Sequence, residues 1–199
     1  MQRKDQQLIA DYLNGDDGAI AVLIDRHLKT VFSFTYRLVR NKENAEDIAQ
    51  DTFLKMWRNL KKYRPGENFK TWLFTIARNA AIDFLRKKKS LAFSDFEDDD
   101  GENAFIETLT DPEPLPDEIF AKAEEENVLD EALNKLSLPH RETLLLRYSE
   151  RLTFDEIGKI LGQSINTVKS RHRRAVENLR RILYDSKLQN ARELRNGKI

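Results

Sequence analysis

Apolar residues recur three and four positions apart through most of this chain, and the strict alternation of a half-buried strand is almost absent. The pattern predicts helices throughout. Residues 5–14 read as a short helix stopped by Gly15, a second helix carries Ala19, Leu23, Ile24 and His27, and a third covers residues 30–40. Asn44 stands where an N-cap belongs, ahead of the most regular stripe in the chain: Ala45, Ile48, Ala49, Thr52, Phe53, Met56, Trp57 and Leu60. Beyond Pro65 and Gly66, a helix over residues 69–88 turns Leu73, Ile76, Ala77, Ala80 and Phe84 inward.

The periodicity then breaks. SDFEDDDGENAFIETLTDPEPLPDE holds three of the five prolines and reads as a linker. Apolar spacing returns with Val128, Leu129, Ala132, Leu133 and Leu136, then with a helix that has Pro139 in its first turn and carries Leu144, Leu145 and Tyr148. Thr153 and Glu156 have capping-box spacing ahead of Ile157, Ile160 and Leu161. Gly162 ends that helix and Ser164 is placed to cap the next, so two helices meet across a tight glycine turn, the pattern of a helix-turn-helix. The expected fold is all-α, with two small helical domains over residues 1–90 and 124–185, an acidic linker over 91–123 between them, and a basic tail over 186–199.

Charge sharpens this division. The 34 Lys and Arg balance the 34 Asp and Glu, yet the signs are segregated. Residues 55–89 hold 11 basic residues against two acids, residues 166–199 hold ten against three, and residues 90–121 hold 11 acids with no Lys or Arg. Two basic blocks flanking an acidic one suggest two surfaces for a polyanion, joined by a segment that cannot bind one. The absence of cysteine excludes disulfides and thiolate zinc sites. No apolar run reaches membrane-spanning length, and MQRKDQQLIADYL lacks a signal-peptide core, so a cytoplasmic protein without membrane insertion is expected.

On a helical wheel of SINTVKSRHRRAVENLR, Val168, His172, Ala175, Leu179 and Ile182 share one face. Asn166, Ser170, Arg173, Arg174 and Glu177 lie opposite, with Thr167 and Lys169 flanking near the start, while Arg171 points closer to the core side. An outward face that is basic and hydroxyl-bearing at the N-terminal end suits phosphate contacts and arginine contacts to guanine edges in a major groove.

LSLPHRETLLLRYSERLTFDEIGKILGQSINTVKSRHRRAVENLR, residues 136–180, resembles the C-terminal DNA-binding region, region four, of bacterial RNA polymerase sigma factors of the extracytoplasmic-function type. AEDIAQDTFLKMWRNL and FKTWLFTIARNAAIDFLRKKK resemble region two of the same family. His172 and Arg173 depart from the family, which often carries apolar or aromatic residues there. The resemblance implies a promoter-specificity subunit whose partners are core RNA polymerase, through the beta-prime clamp and the beta subunit, and promoter DNA, with an anti-sigma factor expected as inhibitor.

Each task has a candidate surface. Asp47, Gln50, Asp51 and Leu54, with Glu46 adjacent, lie opposite the apolar stripe, a face that suits a basic partner helix or is simply solvated. By resemblance it meets the clamp coiled coil. In the first basic block, aromatic residues are interleaved with cations, the combination that holds single-stranded DNA. Tyr63, Trp72, Asn79, Arg86, Lys87 and Lys88 are its candidates, with Asn79 and the loop before Pro65 near the minus-ten base pocket by resemblance. Phe53 and Trp57 read as core, with one edge left to reach the partner, and Phe69, Trp72 and Phe84 fit a core as well as a stacking platform. Thr167, Lys169, Ser170, Arg173 and Arg174 are the candidates for the minus-thirty-five element. No metal-ligand spacing, phosphate loop or nucleophile motif supports an enzyme, and no cofactor is expected. Two further readings stay open: a stand-alone helix-turn-helix regulator, and an interaction module that binds no DNA.

Overall fold

The computed structural model describes residues 3–64, 66–91 and 128–195, so the acidic linker and the end of the basic tail lie outside the described residues. The elements are α1 (Asp5–Leu13), α2 (Asp17–Val39), α3 (Lys42–Asn59) with a 3-10 turn at Leu60–Lys62, and α4 (Phe69–Leu91). They continue as α5 (Val128–Asn134), α6 (Leu138–Leu144) running into a π turn at Leu145–Ser149, α7 (Phe154–Leu161) and α8 (Ile165–Arg195). Among the described residues there is no strand, and no helix is long and apolar enough to cross a membrane.

Two local expectations are corrected. The second and third predicted helices are one, α2, because the Thr30 hydroxyl donates to the carbonyl of His27 at 2.9 Å and so finds its partner without leaving the helix. The cap of α3 is Asn41 rather than Asn44: the Asn41 side chain accepts from the amide of Asn44 at 2.9 Å, which starts the helix three residues earlier.

The chain divides into two compact units, Met1–Ser90 with Leu152–Ile165, and Leu91–Arg151 with Asn166–Ile199. In the first, α2 packs on α1 and α3. Its core holds Leu8, Leu23, Phe34, Met56, Leu60, Leu73 and Phe74, with Phe34 and Phe74 edge to face at 5.2 Å. Each such side chain contributes about 1.5 to 3 kcal/mol by leaving water. Ile76 and Phe84, expected inward on α4, are only half-buried, while Thr71 and Ala81 are buried beside Leu73 and Ala77. Polar contacts pin α1: Asp5 accepts from Arg26 at 2.5 Å and lies 2.9 Å from His27 Nε2.

The first unit also includes α7, which the sequence places with the following helix. Asn68 accounts for part of this grouping: its Oδ1 caps α4 by accepting from Lys70 and Thr71, and its Nδ2 donates to Glu156 at 2.5 Å. The capping box on α7 is complete, with Glu156 accepting from the Thr153 amide at 2.8 Å and the Thr153 hydroxyl accepting from the Glu156 amide at 3.3 Å. Burial alone would raise the Glu156 carboxyl. The hydrogen bonds from Thr153 and Asn68 outweigh it and hold the group below its ordinary value. Gly162 ends α7 in the left-handed region at φ 66°, where a Cβ would be strained.

The second unit is built around Leu129, Leu133, Leu144, Leu145, Val168, Val176 and Leu179, all essentially inaccessible. Arg141 is buried inside it. Its guanidinium donates to the carbonyls of Leu133, Asn134 and Leu136, which satisfies the open C-terminal end of α5. Glu142, 2% exposed, lies 4.0 Å from Arg171 on α8.

Candidate functional site

Three surfaces carry the side chains singled out from the sequence. On α3, the burial of Ala45, Ile48, Ala49, Thr52, Phe53 and Met56 turns the other side of the helix outward. Glu46, Asp47, Gln50 and Leu54 are exposed there, and Asp51 is half-buried. Asp51 is bridged by Lys55 at 2.7 Å and Glu46 by Lys42 at 3.9 Å, exposed pairs that are worth little in stability. Asp47 and Gln50 therefore carry the face's open acceptors. Trp57 is a correction. It is 50% exposed rather than core, three residues from Leu54, which is 49% exposed. Its indole N–H donates to the hydroxyl of Tyr12 on α1.

The second surface lies on α4 and the turn before it. Asn79, Arg86, Lys87 and Lys88 are exposed, and Asp83 joins them at helical spacing. Tyr63 is 8% exposed; its hydroxyl donates to the Glu67 carbonyl, and its ring stands edge to face with Phe69 at 5.8 Å and tilts against Trp72 at 5.4 Å. Burial pushes the Tyr63 hydroxyl up. The aromatic cluster thus packs on itself, with Phe69 in the core and Trp72 half-buried at its margin. In this arrangement Trp72 keeps open surface and Tyr63 does not.

The third surface is the first half of α8. Val168, His172, Ala175 and Leu179 are buried, as the wheel requires, Val176 joins them, Ile182 is only half-buried, and His172 is 3.1 Å from the Tyr148 hydroxyl on the π turn. Thr167, Lys169 and Arg174 are exposed, whereas Ser170 and Arg173 are half-buried. The Arg173 Nε is buried without a hydrogen-bond partner, so its stem is packed and only its tip is available. Arg171 turns toward Glu142 on α6 and braces the helix from inside.

Some exposed residues escape the sequence reading. Leu28 and Tyr36 on α2 are exposed apolar side chains, with Phe32 between them and stacked on Tyr36 at 6.1 Å. Their four-residue spacing is the only signal, and an inward stripe has the same spacing. Among the described residues no group of three or more acidic or His side chains is placed to hold a metal ion.

Residues 23–91 match the family model for sigma-70 region 2, and residues 132–181 match the model for sigma-70 region 4. The chain is 32% identical over 187 residues to the ECF RNA polymerase sigma factor SigW of Bacillus subtilis, covering 93% of this chain and 100% of that protein. It is 36% identical over 182 residues to the RNA polymerase sigma factor CarQ of Myxococcus xanthus, covering 91% and 98%. Among solved structures, CnrH in complex with the cytosolic domain of CnrY has the same fold, with a TM-score of 0.66 at 24% identity over 91% of this chain and 97% of that one. The sigma factor RpoE from Bartonella quintana, in complex with the anti-sigma factor NepR, matches with a TM-score of 0.59 at 27% identity over 81% and 94%.

Proposed function

The chain belongs to the extracytoplasmic-function sigma factors of the sigma-70 family, and from that premise we propose how its surfaces divide the work of a promoter-specificity subunit. It binds core RNA polymerase and directs transcription initiation at promoter DNA. Residues 1–90 act as region two and residues 124–185 as region four, with 91–123 as the acidic linker and 186–199 as a basic tail.

Glu46, Asp47, Gln50, Asp51 and Leu54 form the polymerase-binding face, extended by Trp57. The exposed carboxylates suit a basic partner helix, and the two large apolar side chains suit burial at the centre of such a contact. Trp72, Asn79, Arg86, Lys87 and Lys88 serve the minus-ten element, the cations holding phosphates and Asn79 pairing with a base edge. Tyr63 supports Trp72 from beneath. Thr167, Lys169, Ser170, Arg173 and Arg174 read the minus-thirty-five element. The protein is non-catalytic and works in the cytoplasm, and an anti-sigma factor, as in the RpoE and NepR complex, restrains it.

One observation carries this reading. A complete capping box, a left-handed glycine and a helix with an apolar inner face and a basic outer face follow one another over residues 153–180, in a chain that also exposes an acidic face on α3. The test is transcription from a genomic promoter library with purified core polymerase plus this chain. Core-dependent transcripts from a defined promoter class are expected. Asp47→Arg combined with Gln50→Ala should abolish them, because reversed charge against a basic partner costs several kcal/mol while a solvated face tolerates it. DNA binding without core, and no core-dependent transcript, would instead mark a stand-alone regulator.

A further inference from the structure

Helix α1 precedes the residues matched to region 2, and none of the three surfaces includes it. It has nine residues and buries only Leu8 and Ile9. A helix this short draws little stability from its own backbone, so what its ends touch matters. Its last turn meets Trp57 through the Tyr12 hydroxyl. Its first residue, Asp5, binds both Arg26 and His27, and Arg26 also donates to the carbonyl of Arg3 at 2.7 Å. A carboxylate can only accept, so the Asp5 contact keeps a proton on His27 Nε2 and fixes which way that ring edge points.

The other side of the His27 ring leads to the aromatic cluster. His27 is buried, and its ring tilts against Phe69 with centroids 5.4 Å apart. Phe69 in turn tilts against Trp72 at 5.9 Å. A file of packed rings therefore runs from the Asp5 carboxylate to Trp72, the half-buried ring at the margin of the cluster. Rotation of an imidazole about its last side-chain bond is soft, so packing alone leaves the His27 ring plane loosely set and the bond to Asp5 removes that freedom. Close-packed neighbours pass such a constraint on. The start of α1 also faces the turn that leads into α4: Lys4, Asp5 and Gln6 line one wall of an open cleft whose other wall is residues 66–69.

We propose that Asp5 is a positioning residue for minus-ten recognition: by fixing the ring of His27 it holds Phe69, and through Phe69 the ring of Trp72, in the pose that receives an unpaired base. The proposal rests on the reading of Trp72 as a minus-ten residue. It is tested with holoenzyme reconstituted from core polymerase and the full chain, bound to a single-stranded oligonucleotide carrying the minus-ten element of a promoter drawn from the genomic library. Asp5→Ala should lower affinity for that strand about fivefold, with binding of core measured without DNA unchanged. Asp5→Asn, which keeps the size and loses the charge, should lower it less, and Asp5→Glu should restore most of it. In the free chain, Trp57→Phe leaves Trp72 as the one indole, and on that background Asp5→Ala should increase quenching of its fluorescence by acrylamide. Ile9→Val is the control for a loosened α1: it should lower the thermal midpoint while strand affinity and quenching stay at the parent values. Asp5→Ala that melts lower yet binds the strand and is quenched like the parent would reduce Asp5 to a staple for α1 and overturn the proposal. So would an equal loss of strand affinity in Ile9→Val, or a loss traced to weaker binding of core. Trp72→Ala holoenzyme that binds the strand as tightly as the parent would overturn the underlying reading, and the proposal with it, whatever Asp5→Ala does.

Discussion

The indole Nε1 of Trp57 donates to the hydroxyl of Tyr12 across 2.6 Å, which ties the end of α3 to the end of α1 while half of the Trp57 side chain stays open to solvent. A large aromatic held in place but not buried is well suited to anchor a partner, because little side-chain freedom is lost on contact. Trp57→Ala is expected to weaken core-polymerase binding by about 2 kcal/mol or more while lowering the stability of the free chain by less than about 1 kcal/mol. Titration of labelled core, read beside a thermal melt, checks both. A variant that melts normally and binds core as tightly as the parent would confine Trp57 to bracing Tyr12.

Arg173 and Arg174 are neighbours in sequence and differ in burial: Arg174 is exposed, and Arg173 keeps a buried, unpartnered Nε. Arg174→Ala should leave stability unchanged and cost about 1 to 3 kcal/mol in binding, with preference relaxed at one base pair, if its fork meets a guanine. Arg173→Ala should lower both stability and affinity, since its stem is packed. Selection of holoenzyme-bound duplexes from a library randomised at the minus-thirty-five element separates the two. Sequence preferences that survive both substitutions would leave α8 a phosphate-binding surface.

The carboxyl of Asp5 sits below its ordinary value; burial would raise it, and hydrogen bonds from His27 and Arg26 outweigh that effect. A carboxyl lowered in the folded state adds stability above its unfolded value and loses it as pH falls through the folded value. The attachment of α1 to α2 should therefore weaken below about pH 4. The thermal midpoint of the parent should exceed that of Asp5→Asn at pH 6, with the gap narrowing as pH is lowered from 5 to 3. A gap that stays constant over that range would show that the Asp5 charge contributes nothing.

Local features were legible and remote ones were not. Thr153, Glu156 and Gly162 act within a few residues of themselves, so their spacing alone announces the ends of α7. The inner face of α8 was readable for the same reason, and His172 was correctly placed inward. Arg141 and Glu142 carry no such signal. Charged residues in a short helix read as solvated, yet Arg141 is buried against carbonyls at the end of α5 and Glu142 faces Arg171, partners that only the tertiary fold supplies. Trp57 failed differently: it stands at the edge of the α3 stripe, where a wheel cannot tell the last core position from the first open one. On the candidate surfaces, the residue types and spacings could be read, but the burial of Tyr63 and Arg173 could not, since it depends on Phe69, Trp72 and the packing around α8.

Helix α8 runs for 31 residues, a rod of about 46 Å. The side chains proposed to touch DNA occupy only its first third, and Ala175, Val176 and Leu179, at and just beyond its end, are buried in the second unit. One helix therefore both seals the core and carries the side chains proposed to read DNA, so Arg174 cannot turn or slide unless Val168, Ala175 and Leu179 move with it, and its aim is as rigid as the core itself.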